Sequence, residues 1–118
     1  MTADEFRRIA LSQPGAVEGA HMNHPDFRIG GRVFASLGYP DEAWGMVKLS
    51  ADVQGDVIAR APATFKPAKG AWGLAGSTLI HLASVDVQML QGALQLAAAA
   101  IVSASKSATA KRRSAKRK

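Results

Sequence analysis

The sequence contains no cysteine. That excludes a disulfide framework, thiolate-ligated zinc, iron–sulfur clusters and thiol nucleophiles. Aromatic residues are few, at 6% of the chain, with one tyrosine and two tryptophans, so any aromatic contact surface must be drawn from a short list. The longest apolar run, residues 96–102, falls far short of the roughly 20 residues that a membrane-spanning helix needs. The opening Met1-Thr2-Ala3-Asp4-Glu5 is acidic and has no apolar h-region, so no secretory signal is expected and a soluble cytoplasmic protein is. Acids are outnumbered by bases, 9 against 15, which leaves a formal net charge of +6.

What is present suits one globular domain: 118 residues, 47% of them hydrophobic and 20% charged. The positive charge is not spread evenly. Residues 106–118 hold Lys106, Lys111, Arg112, Arg113, Lys116, Arg117 and Lys118, seven cations with no acid among them. The rest of the chain then has eight basic residues against nine acidic ones, a formal charge of −1. The sequence therefore divides into a nearly neutral domain over residues 1–102 and a disordered basic tail over residues 103–118. Basicity of the whole protein is no argument that the folded part binds a polyanion.

Local patterns predict an α+β order. Thr2 and Glu5 have the spacing of a capping box, and Phe6, Ile9 and Ala10 follow on one helical face until Pro14-Gly15. Residues 26–29 and 32–37 read as strands around Gly30-Gly31, a pair suited to a type I′ hairpin turn because both central residues there need positive φ. Residues 44–49 read as a third strand. Ser50 caps a short helix through residue 60, which Gly55 weakens by about 1 kcal/mol relative to alanine. Residues 63–76 read as a loop folded over a buried Trp72, and residues 78–83 as a strand. Ser84 then caps a last helix with little polar surface, expected to be largely buried.

Several segments together resemble the MmcQ/YjbR family. They are Phe6-Arg7-Arg8-Ile9-Ala10-Leu11-Ser12 with Pro14-Gly15; His21-Met22-Asn23-His24-Pro25-Asp26-Phe27-Arg28; Arg32-Val33-Phe34-Ala35-Ser36-Leu37; Met46-Val47-Lys48-Leu49; and Gly70-Ala71-Trp72-Gly73 with Gly76 and Thr78. The resemblance spans about residues 3–102. It implies a frataxin-like (CyaY-like) two-layer sandwich, an antiparallel sheet flanked by helices from the two chain ends. It also implies DNA binding, the label usual for the family, by analogy with a double-wing arrangement of hairpins. It does not imply iron chemistry, because the first helix carries Asp4 and Glu5 rather than a dense acidic ridge. Gly70-Ala71-Trp72-Gly73 stands where the YjbR branch has a Lys/His-rich segment, so that branch's ligand residues do not carry over.

The candidate chemistry is sparse. His21, His24 and Asp26 are metal-ligand types, but spacing three in an extended segment puts the two histidines on opposite faces unless a turn intervenes. No metal or other cofactor is expected. No nucleophile elbow, Walker loop, dinucleotide fingerprint or zinc-protease motif is present, so no enzyme and no catalytic residue is expected. The run Gly70, Gly73, Gly76 precedes a strand and reads as a turn rather than a phosphate cradle. The favoured function is non-enzymatic DNA binding by a monomer that contacts no membrane. The body would offer Arg28 and Arg32 at a hairpin tip, with Lys48, Lys66 and Lys69. The tail would offer Lys111, Arg112, Arg113, Lys116, Arg117 and Lys118 besides Lys106. Seven tail cations on phosphate would give a salt slope of about −6. The alternatives are a small-ligand pocket lined by His21, His24, Tyr39 and Trp72, and a protein-interaction surface on the last helix.

Overall fold

The structure is a computed structural model that describes residues 1–21, 24–38 and 41–117; the side chains of His21 and of residues 103–117 are outside that description. Helix α1 (Ala3–Leu11) starts where Thr2 Oγ1 accepts from the Glu5 amide at 3.1 Å. The Glu5 carboxylate meets the Thr2 hydroxyl rather than its amide, so half of the expected capping box forms. Phe6, Ile9 and Ala10 are its buried face, as their spacing requires.

Four antiparallel strands follow in a meander: β1 (Val17–His21), β2 (His24–Ile29), β3 (Arg32–Leu37) and β4 (Trp44–Lys48). Gly30 and Gly31 turn the β2–β3 hairpin with φ of 59° and 80°, the left-handed values a type I′ turn demands. The imperfect alternation of β3 has a physical cause. Phe27 pairs with Ala35 but Arg28 with Val33, a bulge that lets Phe34 and Ala35 both be buried.

Helix α2 (Ala51–Arg60) is capped by Ser50, whose hydroxyl accepts from the Val53 amide. Then come β5 (Phe65–Pro67), the five-residue helix α3 (Gly70–Leu74), β6 (Ser77–His81) and α4 (Val87–Arg117). The sheet order is β1-β2-β3-β4-β6-β5, so β6 inserts between β4 and the edge strand β5, which precedes it in the chain. The expected loop over residues 63–76 is thus a short edge strand and one turn of helix. Gly70, at φ 64°, opens that helix, so the glycine run does begin a helix, though one of a single turn.

Register fixes the two faces of the sheet. Phe27, Ala35, Val47 and Gly45 lie toward the helices, and Phe6 of α1 packs so closely on Gly45 that a Cβ there would stand 2.7 Å from its ring. Helix α4 crosses β3 and β4 with Leu90, Ala93, Leu94 and Ala97 buried. Gln54 of α2 reaches the same layer, its Nε2 donating to Ser77 O at 3.1 Å and Thr78 Oγ1 at 3.2 Å. The result is the two-layer α+β architecture that the resemblance implies.

Helix α4 differs from expectation in three ways. Its cap is Asp86, whose carboxylate accepts from the Met89 amide at 2.8 Å; Ser84 instead lies 3.0 Å from His81 Nδ1. Its outer face is exposed at Val87, Gln91, Gln95, Leu96 and Val102, so it is half-buried rather than enclosed. Its backbone continues as helix to Arg117, past residue 102, in keeping with the helix propensity of alanine, lysine and arginine.

Candidate nucleic-acid interface on the open sheet face

The side of the sheet away from α1, α2 and α4 carries no long helix. Alternation along β4 sends Gly45 and Val47 to the core and presents Trp44, Met46 and Lys48 on this open side. Their cross-strand partners on β6 are His81, Leu79 and Ser77, and Lys66 of β5 is the next neighbour of Leu79.

The aromatic and cationic side chains here are paired. Lys66 Nζ lies 4.4 Å from the centre of the Trp44 ring system, and His81 packs against the same indole at 4.8 Å, tilted by 44°. Lys48 Nζ lies 5.8 Å from the Trp72 ring. Such contacts are cation–π attractions, about 0.5–1 kcal/mol each at exposed sites. Trp72 is 68% exposed, which corrects the expectation that residues 63–76 bury it: α3 holds the indole outward, and Gly73, not Trp72, is the residue of that turn packed inward. A Cβ at Gly73 would meet Ala68 O, so the backbone approach there leaves no room for a side chain.

Acid is scarce on this face. Among the described strand residues of this face Asp26 is the one acid, and it is buried at 2% exposure; Glu18 of β1 pairs with Phe27 on the helix side, where Arg7 of α1 meets it at 3.0 Å. Arg28 covers it with two parallel hydrogen bonds, Nε to Oδ1 at 2.9 Å and Nη2 to Oδ2 at 3.0 Å. Both side chains lie over Gly19, where a Cβ would stand 2.9 Å from Asp26 Oδ1. The hydrogen bond to Asp26, and then its charge, hold the Arg28 pKa above the ordinary guanidinium value.

The residues expected from sequence are distributed as follows. Lys48 and Lys66 stand on the open face and are exposed; Lys69, also exposed, immediately precedes α3. Arg28 is on the same face but occupied by Asp26. Arg32 pairs with Ile29, on the helix side, so the two arginines flank the turn on opposite faces and do not form one cationic tip. His21 and His24 are direct partners across the β1–β2 hairpin, which corrects the opposite-face expectation; the side chain of His21 is outside the described residues. The His24 ring lies against Gly38, where a Cβ would be 2.9 Å from Nδ1. Asp26 is turned to Arg28, and among the described residues no group of three metal-ligand side chains converges.

Of the four expected pocket residues, the two whose side chains are described, His24 and Trp72, are not brought together. Gly38, beside His24, bonds the carbonyl of Trp44 at one end of β4, whereas Trp72 is beside Lys48 at the other. Tyr39 is outside the described residues. The side chains of Lys106, Lys111, Arg112, Arg113, Lys116, Arg117 and Lys118 are likewise outside them. Sequence reading missed Trp44, Met46 and His81 as site residues. The signal for the first two was the alternation Trp44-Gly45-Met46-Val47-Lys48, in which a small and a β-branched residue mark the inward side.

No protein-family model and no curated protein matches the chain. No described helix is long and apolar enough to cross a membrane. Among solved structures, the chain is similar to the Deinococcus radiodurans protein DR2400, with a TM-score of 0.67 and 15% identity over 81% of this chain and 75% of that one. That protein carries a DUF419 domain, which is MmcQ/YjbR-like, and the likeness is one of fold.

Proposed function

We propose that this chain is a non-enzymatic, cytoplasmic DNA-binding domain of the MmcQ/YjbR type, acting as a monomer. Its cations would meet the phosphate backbone, which positions a protein on DNA without reading sequence. The observation that carries this reading is the placement of Lys48 and Lys66, exposed on an open sheet face whose one strand acid is already neutralised by Arg28. The seven cations of residues 106–118 add to that charge on a domain that is otherwise nearly neutral. In this reading the open face rather than the Gly30-Gly31 tip is the body's contribution, a choice supported by the pairing of Arg32 with Ile29 on the side opposite Lys48 and Lys66.

Fluorescence anisotropy of a labelled duplex, titrated with the full chain at two salt concentrations, tests the proposal. Steeply salt-dependent binding supports it. Absence of binding at low salt removes it.

A further inference from the structure

Phosphate contact alone does not account for what the open face displays. Trp44 and Trp72 are the chain's two tryptophans, and the fold brings both beside lysines on this one side. A solvent-exposed indole is a poor choice for a surface that needs charge alone, and Trp72 is 68% exposed. We infer that the open sheet face takes unpaired bases of single-stranded DNA, one stacked on Trp44 and one on Trp72, with Lys66 and Lys48 passing from the indoles to the adjoining phosphates. This inference rests on the DNA-binding reading and narrows its substrate.

The exchange is chemically balanced in its contacts. Each ammonium now rests over an indole, a weak contact in water, and would gain a phosphate oxygen; each indole would gain a base in place of the ammonium. His81, packed at a tilt against Trp44 and 3.0 Å from Ser84 Oγ, gives that indole a contact that does not depend on Lys66. Spacing argues for a single strand. Trp44 and Lys48 are four residues apart on β4, about 13 Å at 3.3 Å per residue. Successive bases in a duplex are only about 3.4 Å apart, with both faces covered by their neighbours. A sheet face cannot enter that stack, whereas splayed bases can lie on aromatic side chains displayed by a sheet.

The two indoles also supply the readout, since tryptophan fluorescence in this protein comes from the proposed site alone. The full-length protein is titrated with a short oligothymidylate, then with the same strand paired to oligoadenylate. The expected result is quenching by the single strand. Trp72→Ala weakens its binding about 10-fold, the size of one lost base stack. Trp72→Phe restores most of that loss, and duplex binding changes less than about twofold in either variant. Trp72 is exposed, so neither substitution disturbs the core. Equal loss for both probes, or no loss for either, overturns the stacking inference and leaves phosphate binding intact. Failure of the unaltered protein to bind either probe at low salt overturns the DNA reading itself.

Discussion

Neutralising the tail should change the salt dependence of duplex binding by a calculable amount. Ten cations are available to phosphate: seven in residues 106–118, and Lys48, Lys66 and Lys69 on or beside the open face. Arg28 is left out because Asp26 already accepts from two of its nitrogens. With each contact worth about 0.9 in the slope of log K against log salt, the full chain should show a slope near −9. Exchanging all seven tail cations for glutamine, which preserves helix propensity, should leave about −3. Over a fourfold rise in salt that is a loss of affinity of about 10⁵-fold for the full chain and about 40-fold for the variant. Anisotropy titrations across that range measure both slopes. A variant slope still steeper than about −6 refutes the division of charge between tail and body. A variant slope of zero refutes the assignment of the three body lysines.

Two further substitutions test the scaffold. Asp26→Ala should release Arg28 to phosphate and steepen the duplex slope by about one unit. Its cost in stability should be small, read as a slight fall of the urea midpoint, because the Arg28 side chain is 38% exposed and its charge is screened. Gly76→Ala should cost about 3 kcal/mol or more in the same assay: φ is +111°, and a Cβ there would stand 1.8 Å from the Leu49 carbonyl oxygen.

Features dictated by neighbouring residues were legible in the sequence. Thr2 and Ser50 cap the helices that follow them, and Gly30-Gly31 makes the turn its backbone freedom favours. Features that depend on distant partners were not. Val17-Glu18-Gly19-Ala20 has neither strict alternation nor β-branched density, and becomes β1 because β2 offers it a ladder. Trp72 looked buried because hydrophobicity and nearby glycines suggest enclosure; the close approach of Gly73 to Ala68 instead fixes a turn that points the indole out. The separation of Arg28 from Arg32 follows from the direct pairing of Arg32 with Ile29, a consequence of register that charge spacing does not reveal. The lysines of the candidate face were identified by charge, but their tryptophan partners needed the pairing of β6 with both β4 and β5.

That pairing also sets an order of assembly. The β1–β4 meander is built from neighbours in sequence, whereas β6 must wait for α2, β5 and α3 before it slots beside β4. Until it does, Trp44-Gly45-Met46-Val47-Lys48 is an unpaired edge, open to a like segment of another nascent molecule. Lys48 puts a charge at the end of that edge, and like charges resist such mispairing. The lysine assigned here to phosphate would thus also guard the protein's own synthesis, and replacing it by an apolar residue should show first as lost soluble yield.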